Sequence, residues 1–423
     1  MTTNPTSLPN PAFSVSARLQ EKISMRLALE LEARKPVPSA AALEWRPGVL
    51  RPVKSGSSST ASATASTTAR TKAPPQQHTR NWKAYDKALK LRGGIMLYLP
   101  EEVLDNWAPR RKYFSPKRGQ NNYLFTDTAI LTSLTLGAVY NLPLRQTEGF
   151  IESILAALGR EDLRVPDHTT LSYRRRGLDV SIRVQVEAFR LAEKERTGND
   201  GPPRVVAIDS TGRGVSGPGS YRSDKWGSNK GDSNKGDSET DIAKRKYRKV
   251  HILTNPVTGE VTALEVTESI MHDASSVEPL LKEHHAALGC YLEEVLGDGA
   301  YEGKPTVKLV EDLGGKVTAP PQVNASLETV HGKARTLTRR DKRILSRRRT
   351  GSDIEWKVLE KYHRRSLAET TNSRLNGAFG GRFRSRSLEA NTVEVRVQAR
   401  ALNLWRALEI QLNGGLTLQT VPV

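Results

Sequence analysis

The sequence predicts an α/β protein: a mixed sheet with flanking helices, preceded by an all-α region and a disordered N-terminal tail. Three observations predict it. Residues 57–69 consist only of Ser, Thr and Ala, a composition that cannot bury enough apolar surface to offset chain entropy. Between residues 125 and 194 apolar side chains recur at helical spacing. From Arg204 short strand-like runs take over, in the order β-β-β-α-β-α-β. The expected divisions are a low-complexity extension over 1–79, a helical region over 80–200, an α/β domain over 201–412 and a tail over 413–423.

The chain has 423 residues, with 65 Lys and Arg against 46 Asp and Glu, a net charge of +19. Such a surplus attracts polyanions, nucleic acid above all. Met1–Thr79 holds ten basic and four acidic residues, so most of the surplus lies in the remainder. Basic clusters fall at 110–112, 174–176, 244–249, 335–349 and 382–386. Any one cluster is compatible with a solvated face; five together favour an extended phosphate-binding surface. The single cysteine, Cys290, excludes a disulfide scaffold and a cysteine-rich zinc site. No run of about 18 apolar residues is present, so no membrane partner is expected. The first residues lack the basic-then-apolar order of a secretory signal.

In the tail, residues 16–35 carry Leu19, Ile23 and Leu27 at four-residue spacing, compatible with an amphipathic helix against another chain or one that forms only in passing. Residues 125–140 are apolar and helical in pattern. Leu142 and Pro143 interrupt them, and 145–158 form a second helix with Phe150, Ile151, Ile154 and Leu158 on one face. A short third helix lies between Asp167, a good N-cap, and Gly177, a good stop. It carries Tyr173, Arg174, Arg175 and Arg176. This is the layout of a helix-turn-helix reader of DNA and also of an ordinary three-helix cluster.

Another helix, 183–194, leads to the strand 204–209. A polar loop over 212–241 follows, with a tandem Asn-Lys-Gly-Asp-Ser repeat at 229–238. Its Trp226 suits loop packing or stacking on a base. Gly212–Gly217 does not match phosphate-loop spacing. Residues 247–254 and 260–267 alternate as strands around a turn. Then come a helix 274–288, a strand 292–297, a helix 302–313 and a strand 316–319. His272 and Asp273 read as a loop pair with a secondary metal-binding option. The adjacent His284 and His285 point about 100° apart on a helix and make a poor metal pair. Arg335, Arg339, Arg343 and Arg347 form a ridge along one helix face. Residues 393–412 are an ordinary core helix.

Three carboxylates carry the expected chemistry. Asp209 and Asp298 each end a strand, where a sheet edge admits water, and Glu369 lies in the helical stretch 362–374. Converged, they repel one another and need cations. Oxygen ligands with open positions suit Mg²⁺ or Mn²⁺ rather than zinc. Two such ions about 3.5–4 Å apart clamp a scissile phosphate.

The residues around these acids resemble the DDE transposases of bacterial insertion sequences, of the insertion-sequence-five family. The resemblance runs from Arg80-Asn-Trp82 to about Leu408. It rests on Ala207-Ile-Asp209-Ser-Thr-Gly212, Tyr247-Arg-Lys249-Val-His251, Gly297-Asp298-Gly-Ala-Tyr301, Tyr362-His-Arg-Arg365-Ser-Leu-Ala-Glu369 and the stretch 382–388. It implies a ribonuclease H-like core in which Asp209, Asp298 and Glu369 bind two Mg²⁺ ions, with Mn²⁺ able to substitute. Arg365 is expected at the DNA near the cleaved phosphate, positioned by Tyr362. Double-stranded DNA contact extends to Lys249, Arg339, Arg343, Arg347 and Arg374. The implied reaction cleaves the ends of an element at terminal inverted repeats and joins the 3′-hydroxyls to target DNA, in at least a homodimer, in the cytoplasm with the nucleoid. The family signature places a basic residue seven positions after the glutamate; here that position is Asn376, and Arg374 lies on a different face. That departure favours an alternative, a decayed or domesticated transposase acting as a DNA-binding repressor.

Overall fold

The computed structural model describes residues 81–108, 125–184, 186–215, 247–290, 292–322, 325–327, 337–350 and 352–413. The tail 1–79 with its amphipathic stretch, the basic run 110–112, Trp226, the tandem repeat and Arg335 lie outside them.

Six helices open the described chain: α1 (Trp82–Arg92), α2 (Glu101–Asp105), α3 (Asp127–Val139), α4 (Leu144–Ala157), α5 (His168–Arg174) and α6 (Val186–Thr197). Their starts are set by side-chain caps. Asn81 accepts from Ala84 N, Thr126 from Ala129 N, and Asp167 from Thr169 and Thr170 N, satisfying amides that a helix leaves unpaired. At the α3–α4 crossing, a Cβ on Gly137 would stand 2.6 Å from Thr147 Oγ1, so only glycine permits this approach.

The sheet follows: β1 (Val205–Val215), β2 (Tyr247–Thr254) and β3 (Val261–Glu268), then α7 (Val277–Leu288), β4 (Glu294–Leu296), α8 (Lys304–Asp312) and β5 (Lys316–Thr318). Beyond it lie α9 (Arg339–Thr350), α10 (Asp353–Leu359), α11 (Ser366–Phe379), the two-residue β6 (Arg382–Phe383) and α12 (Leu388–Leu412). Strand order is β3-β2-β1-β4-β5, with β6 beside the far end of β1. β2 is antiparallel to β1 and β3, whereas β4 is parallel to β1 and β5. This order and polarity are ribonuclease H-like, as the resemblance implies.

Asp209 does not end its strand, contrary to expectation. β1 continues to Val215, so the polar loop starts later than the sequence suggests, because β2 pairs with it from Ala207 to Gly214. Polar and glycine residues remain in extended geometry when a neighbouring strand supplies their ladder partners.

Alternation along β1 divides the core. Val206 and Ile208 pack with α7 and α8 on one face, through Val277, Leu280, Val307 and Val310. Ala207 meets Ala368 of α11 on the other. α12 serves both parts of the molecule: Val393 and Val397 join the core of the N-terminal helices, and Val395, Ala399 and Leu402 join that of the sheet. One helix thus crosses the division drawn at residue 200.

Two histidines are buried in this framework. The His251 ring meets Thr267 Oγ1 at 2.8 Å and that of His284 meets Thr262 Oγ1 at 3.0 Å. Burial pushes both down to about 4. Both are neutral in the fold near pH 5, whereas the unfolded chain carries them charged. The unfolded state then binds more protons, and stability falls as pH drops from about 6.5 to about 4, on the order of 3 kcal/mol per histidine at the limit. Urea midpoints measured from pH 7 to 4 should show this fall, and the His251→Gln/His284→Gln double variant should flatten it. An unchanged slope would assign acid sensitivity to other groups.

Candidate active site

Asp209 shares a face of β1 with Thr211 and Arg213, the alternate residues that point toward α11. α11 presents Glu369, Asn372 and Asn376 to them, at spacings that lie along one helix face. Seven helical residues advance about 10 Å and four strand residues about 13 Å, so the stripes run side by side. Asn372 Nδ2 donates to Asp209 Oδ2 at 2.8 Å, and Asn376 Nδ2 donates to Thr211 Oγ1 at 3.1 Å. The pairing of β4 with β1 stops at Ala207–Leu296, so Asp209 stands just past the end of its parallel neighbour. There Asp298 caps a 3₁₀ turn, Gly299–Tyr301, and accepts from Ala300 N at 2.9 Å. Glu369 lies in the first turn of α11, where the helix's positive end favours a carboxylate.

One guanidinium joins the three acids. Arg365 Nη2 stands 3.0 Å from Asp209 Oδ1 and 4.0 Å from Asp298 Oδ2, while Nη1 donates to Glu369 Oε1. Their accessibility is graded: the side chain of Asp209 is 14% exposed, of Asp298 44% and of Glu369 56%. Burial pushes the Asp209 carboxyl up, opposed by Asn372 and Arg365 and reinforced by Glu369. Burial alone would lower the Arg365 guanidinium, but Tyr362, Asp209 and Glu369 together hold it above its ordinary value. A second layer lies on the opposite face of β1. Ser210 Oγ donates to Asp273 Oδ2 at 3.1 Å, and Lys249 Nζ donates to Asp273 Oδ1 at 2.8 Å and to Met271 O at 2.7 Å.

Gly297 lets the Asp298 turn close. A Cβ there would stand 2.9 Å from Tyr301 Cβ and 3.2 Å from Ile208 Cγ2. Tyr301 and Ile208 are buried, so neither can yield without moving the turn. Gly297→Ala should therefore displace Asp298 from the acid cluster and lower any reaction the three acids support by about tenfold or more, since misplacement of about 1 Å at a reacting group costs up to 10²-fold. Parallel melting curves would show whether the protein remains folded. Undiminished activity of a folded Gly297→Ala protein would remove this role.

The predicted DNA-contacting residues fall into two groups. Tyr173, 64% exposed, and Arg176 face outward on α5 and its following turn, and Arg374 faces outward on α11. The others meet the protein itself. Arg174 pairs with Asp127, and burial lowers Arg175. Lys249 is held by Asp273. Along α9, Arg339 is exposed yet donates to Gly315 O at 2.7 Å, Arg343 is buried, and Arg347 is half-buried, pairs with Asp353 and donates to Pro321 O. Tyr362 is buried against Trp356, ring centroids 5.6 Å apart. Four-residue arginine spacing shows that the side chains share a face, not which way that face turns. Asn372 and Arg213 escaped the sequence reading. The signals were the polar stripe at 369, 372 and 376 and the alternation 209, 211 and 213.

The donor set fits a hard divalent cation, which takes oxygen ligands. The arrangement does not enclose one. Both oxygens of Asp209 are engaged by Arg365 and Asn372, and among the described residues no three His, Cys, Asp or Glu side chains are grouped to hold an ion.

The strand order β3-β2-β1-β4-β5, with one carboxylate within β1, one just after β4 and one on α11 around Arg365, defines a ribonuclease H-like class of α/β protein. Residues 200–404 match a family model described as "Transposase DDE domain", and residues 90–218 match a second model of the same description. The chain carries a DDE transposase domain, and the family is one of strand-cleaving and strand-transferring enzymes that use divalent metals. A solved structure, "Mos1 transposase paired-end complex with left transposon end", is similar over 63% of this chain and 81% of that chain, at 10% identity and a TM-score of 0.19. That likeness is too distant to bear on the site. No helix among the described residues is long and apolar enough to cross a membrane.

Proposed function

We propose that the protein is the transposase of a bacterial insertion sequence of the insertion-sequence-five family. The approach of Asp209, Asp298 and Glu369 to one guanidinium, that of Arg365, carries this reading. It binds the terminal inverted repeats, cleaves a phosphodiester at each end and joins the freed 3′-hydroxyls to target DNA. Both reactions are in-line phosphoryl transfers, so one carboxylate cluster serves both. Asp209, Asp298 and Glu369 would hold divalent cations, two Mg²⁺ ions in this reading, which would supply Lewis-acid assistance to the attacking and leaving oxygens. Asp209 is the most enclosed of the three acids. Asn372 fixes the plane of its carboxylate through Oδ2. Tyr173 on α5, Arg176 in the turn after it and Arg374 on α11 contact DNA; the first two belong to the helix-turn-helix-like region that reads the repeats. Holding two ends together requires at least a dimer on DNA, which light scattering of the complex measures.

Asn376, the residue that favours a decayed repressor, bonds Thr211 and the buried Arg213. A lysine there would set its charge against Arg213, so the missing basic residue does not argue for decay. The test is cleavage of a supercoiled plasmid bearing the DNA that flanks this reading frame, in Mg²⁺, by wild type and Asp298→Asn. Cuts at the repeat ends that vanish in the variant are expected. End binding without cleavage by the wild type would instead establish the repressor.

A further inference from the structure

Arg365 is placed unlike its neighbour in sequence. Arg364 is anchored to the framework: its Nη2 donates to Glu294 Oε2 at 2.7 Å and its Nε to Lys361 O at 3.0 Å. Arg365 directs both terminal nitrogens at the three acids and leaves its Nε buried with no hydrogen-bond partner. Its terminal nitrogens meet carboxylates from β1, from the turn after β4 and from α11, whereas Arg364 meets only the framework. The guanidinium is the positive charge around which the carboxylates converge.

We propose that Arg365 is the built-in counter-ion of the acid cluster, and that divalent cations and Arg365 exclude one another there. Loading the acids drives the guanidinium out, and the freed side chain turns to a DNA phosphate beside the site. This rests on the reading of the three acids as metal ligands. The reason is electrostatic. A divalent cation binds a carboxylate oxygen at about 2.0–2.1 Å, and Arg365 Nη2 already stands 3.0 Å from Asp209 Oδ1. Both cannot share that oxygen without placing like charges in contact where burial weakens screening. Asn372 holds the other Asp209 oxygen, so the carboxylate cannot turn away to serve both. The side chain can swing while the turn that carries it stays fixed by Arg364. Metal and DNA backbone then strengthen each other's binding, and by linkage the coupling is reciprocal.

The test uses the full-length protein without DNA. Mn²⁺ binding is read from the electron paramagnetic resonance signal of the free ion, for wild type, Arg365→Lys and Arg365→Gln. Charge-assisted bonds to the acids are lost in the glutamine variant, so it should bind Mn²⁺ about tenfold more tightly, with the lysine variant between. In the wild type, saturating Mn²⁺ should raise phenylglyoxal labelling of Arg365, quantified by peptide mass spectrometry, by about threefold or more over the metal-free protein. This second measurement needs no variant to fold. Equal or weaker Mn²⁺ binding by a folded Arg365→Gln protein overturns the proposal, as does labelling that is unchanged or reduced by metal. Absence of Mn²⁺ binding from wild type and variants alike overturns the metal-site reading and the proposal together.

Discussion

Asp209→Asn is expected to reduce DNA strand cleavage by at least about 10³-fold while leaving end binding within a few fold. Metal assistance at a scissile phosphate supplies several kcal/mol of transition-state stabilisation, and each 1.36 kcal/mol is a factor of ten in rate. Asp209 is the acid whose loss should cost most. It is the least exposed of the three and lies against Arg365 and Asn372, whereas Asp298 and Glu369 reach the cluster from a turn and a helix start. Fold stability should change little, within about 1 kcal/mol. The asparagine carbonyl can still accept from Asn372, and the charge removed is one that burial already disfavours. Cleavage assays beside melting curves and end-binding titrations separate these effects. A variant that retains more than a tenth of wild-type cleavage would remove Asp209 from the chemistry.

Asn376→Lys, which restores the basic residue of the family signature, is expected to damage the protein instead. Arg213 is fully buried, and its four bonds go to neutral acceptors: Asn376 Oδ1 at 2.8 Å, Gln398 Oε1 at 2.5 Å, Leu375 O at 3.2 Å and Gly380 O at 2.8 Å. Burial already pushes its guanidinium down to about 10. A lysine at 376 removes one acceptor, breaks the bond to Thr211 and sets a second cation against the first. Breaking a buried charged network in this way costs on the order of 3–5 kcal/mol, a fall in melting temperature of about 10 °C. Arg213→Met should lessen the effect of the added lysine, so the double variant should be more stable than the sum of the two singles. Stability of Asn376→Lys within about 1 kcal/mol of wild type would show that Arg213 does not depend on this contact.

Both predictions combine features that differed in legibility. Asp209, Asp298 and Glu369 stood out because carboxylates after buried apolar runs, with glycines and a Tyr–Arg–Glu spacing beside them, are rare enough to recognise. The cap at Asp167 was equally local. The length of β1 was not legible: Ser-Thr-Gly-Arg-Gly has poor strand propensity, and only pairing with β2 keeps it extended. Nor was the direction of the α9 arginines, since a periodic stripe is the same whether it meets solvent or carbonyl groups.

Composition, periodicity and motif spacing were sufficient for the α/β class, for the order of strands and helices from 204 to 319 and for singling out the three acids as candidates, because each depends on residues near one another in the chain. The gathering of those acids on Arg365, the anchoring of Asp209 by Asn372 and the capture of Asn376 by Arg213 exist only in the folded molecule. They join β1 to segments about 160 residues away. Contacts of that kind follow from strand register and helix rotation, which packing against the sheet selects.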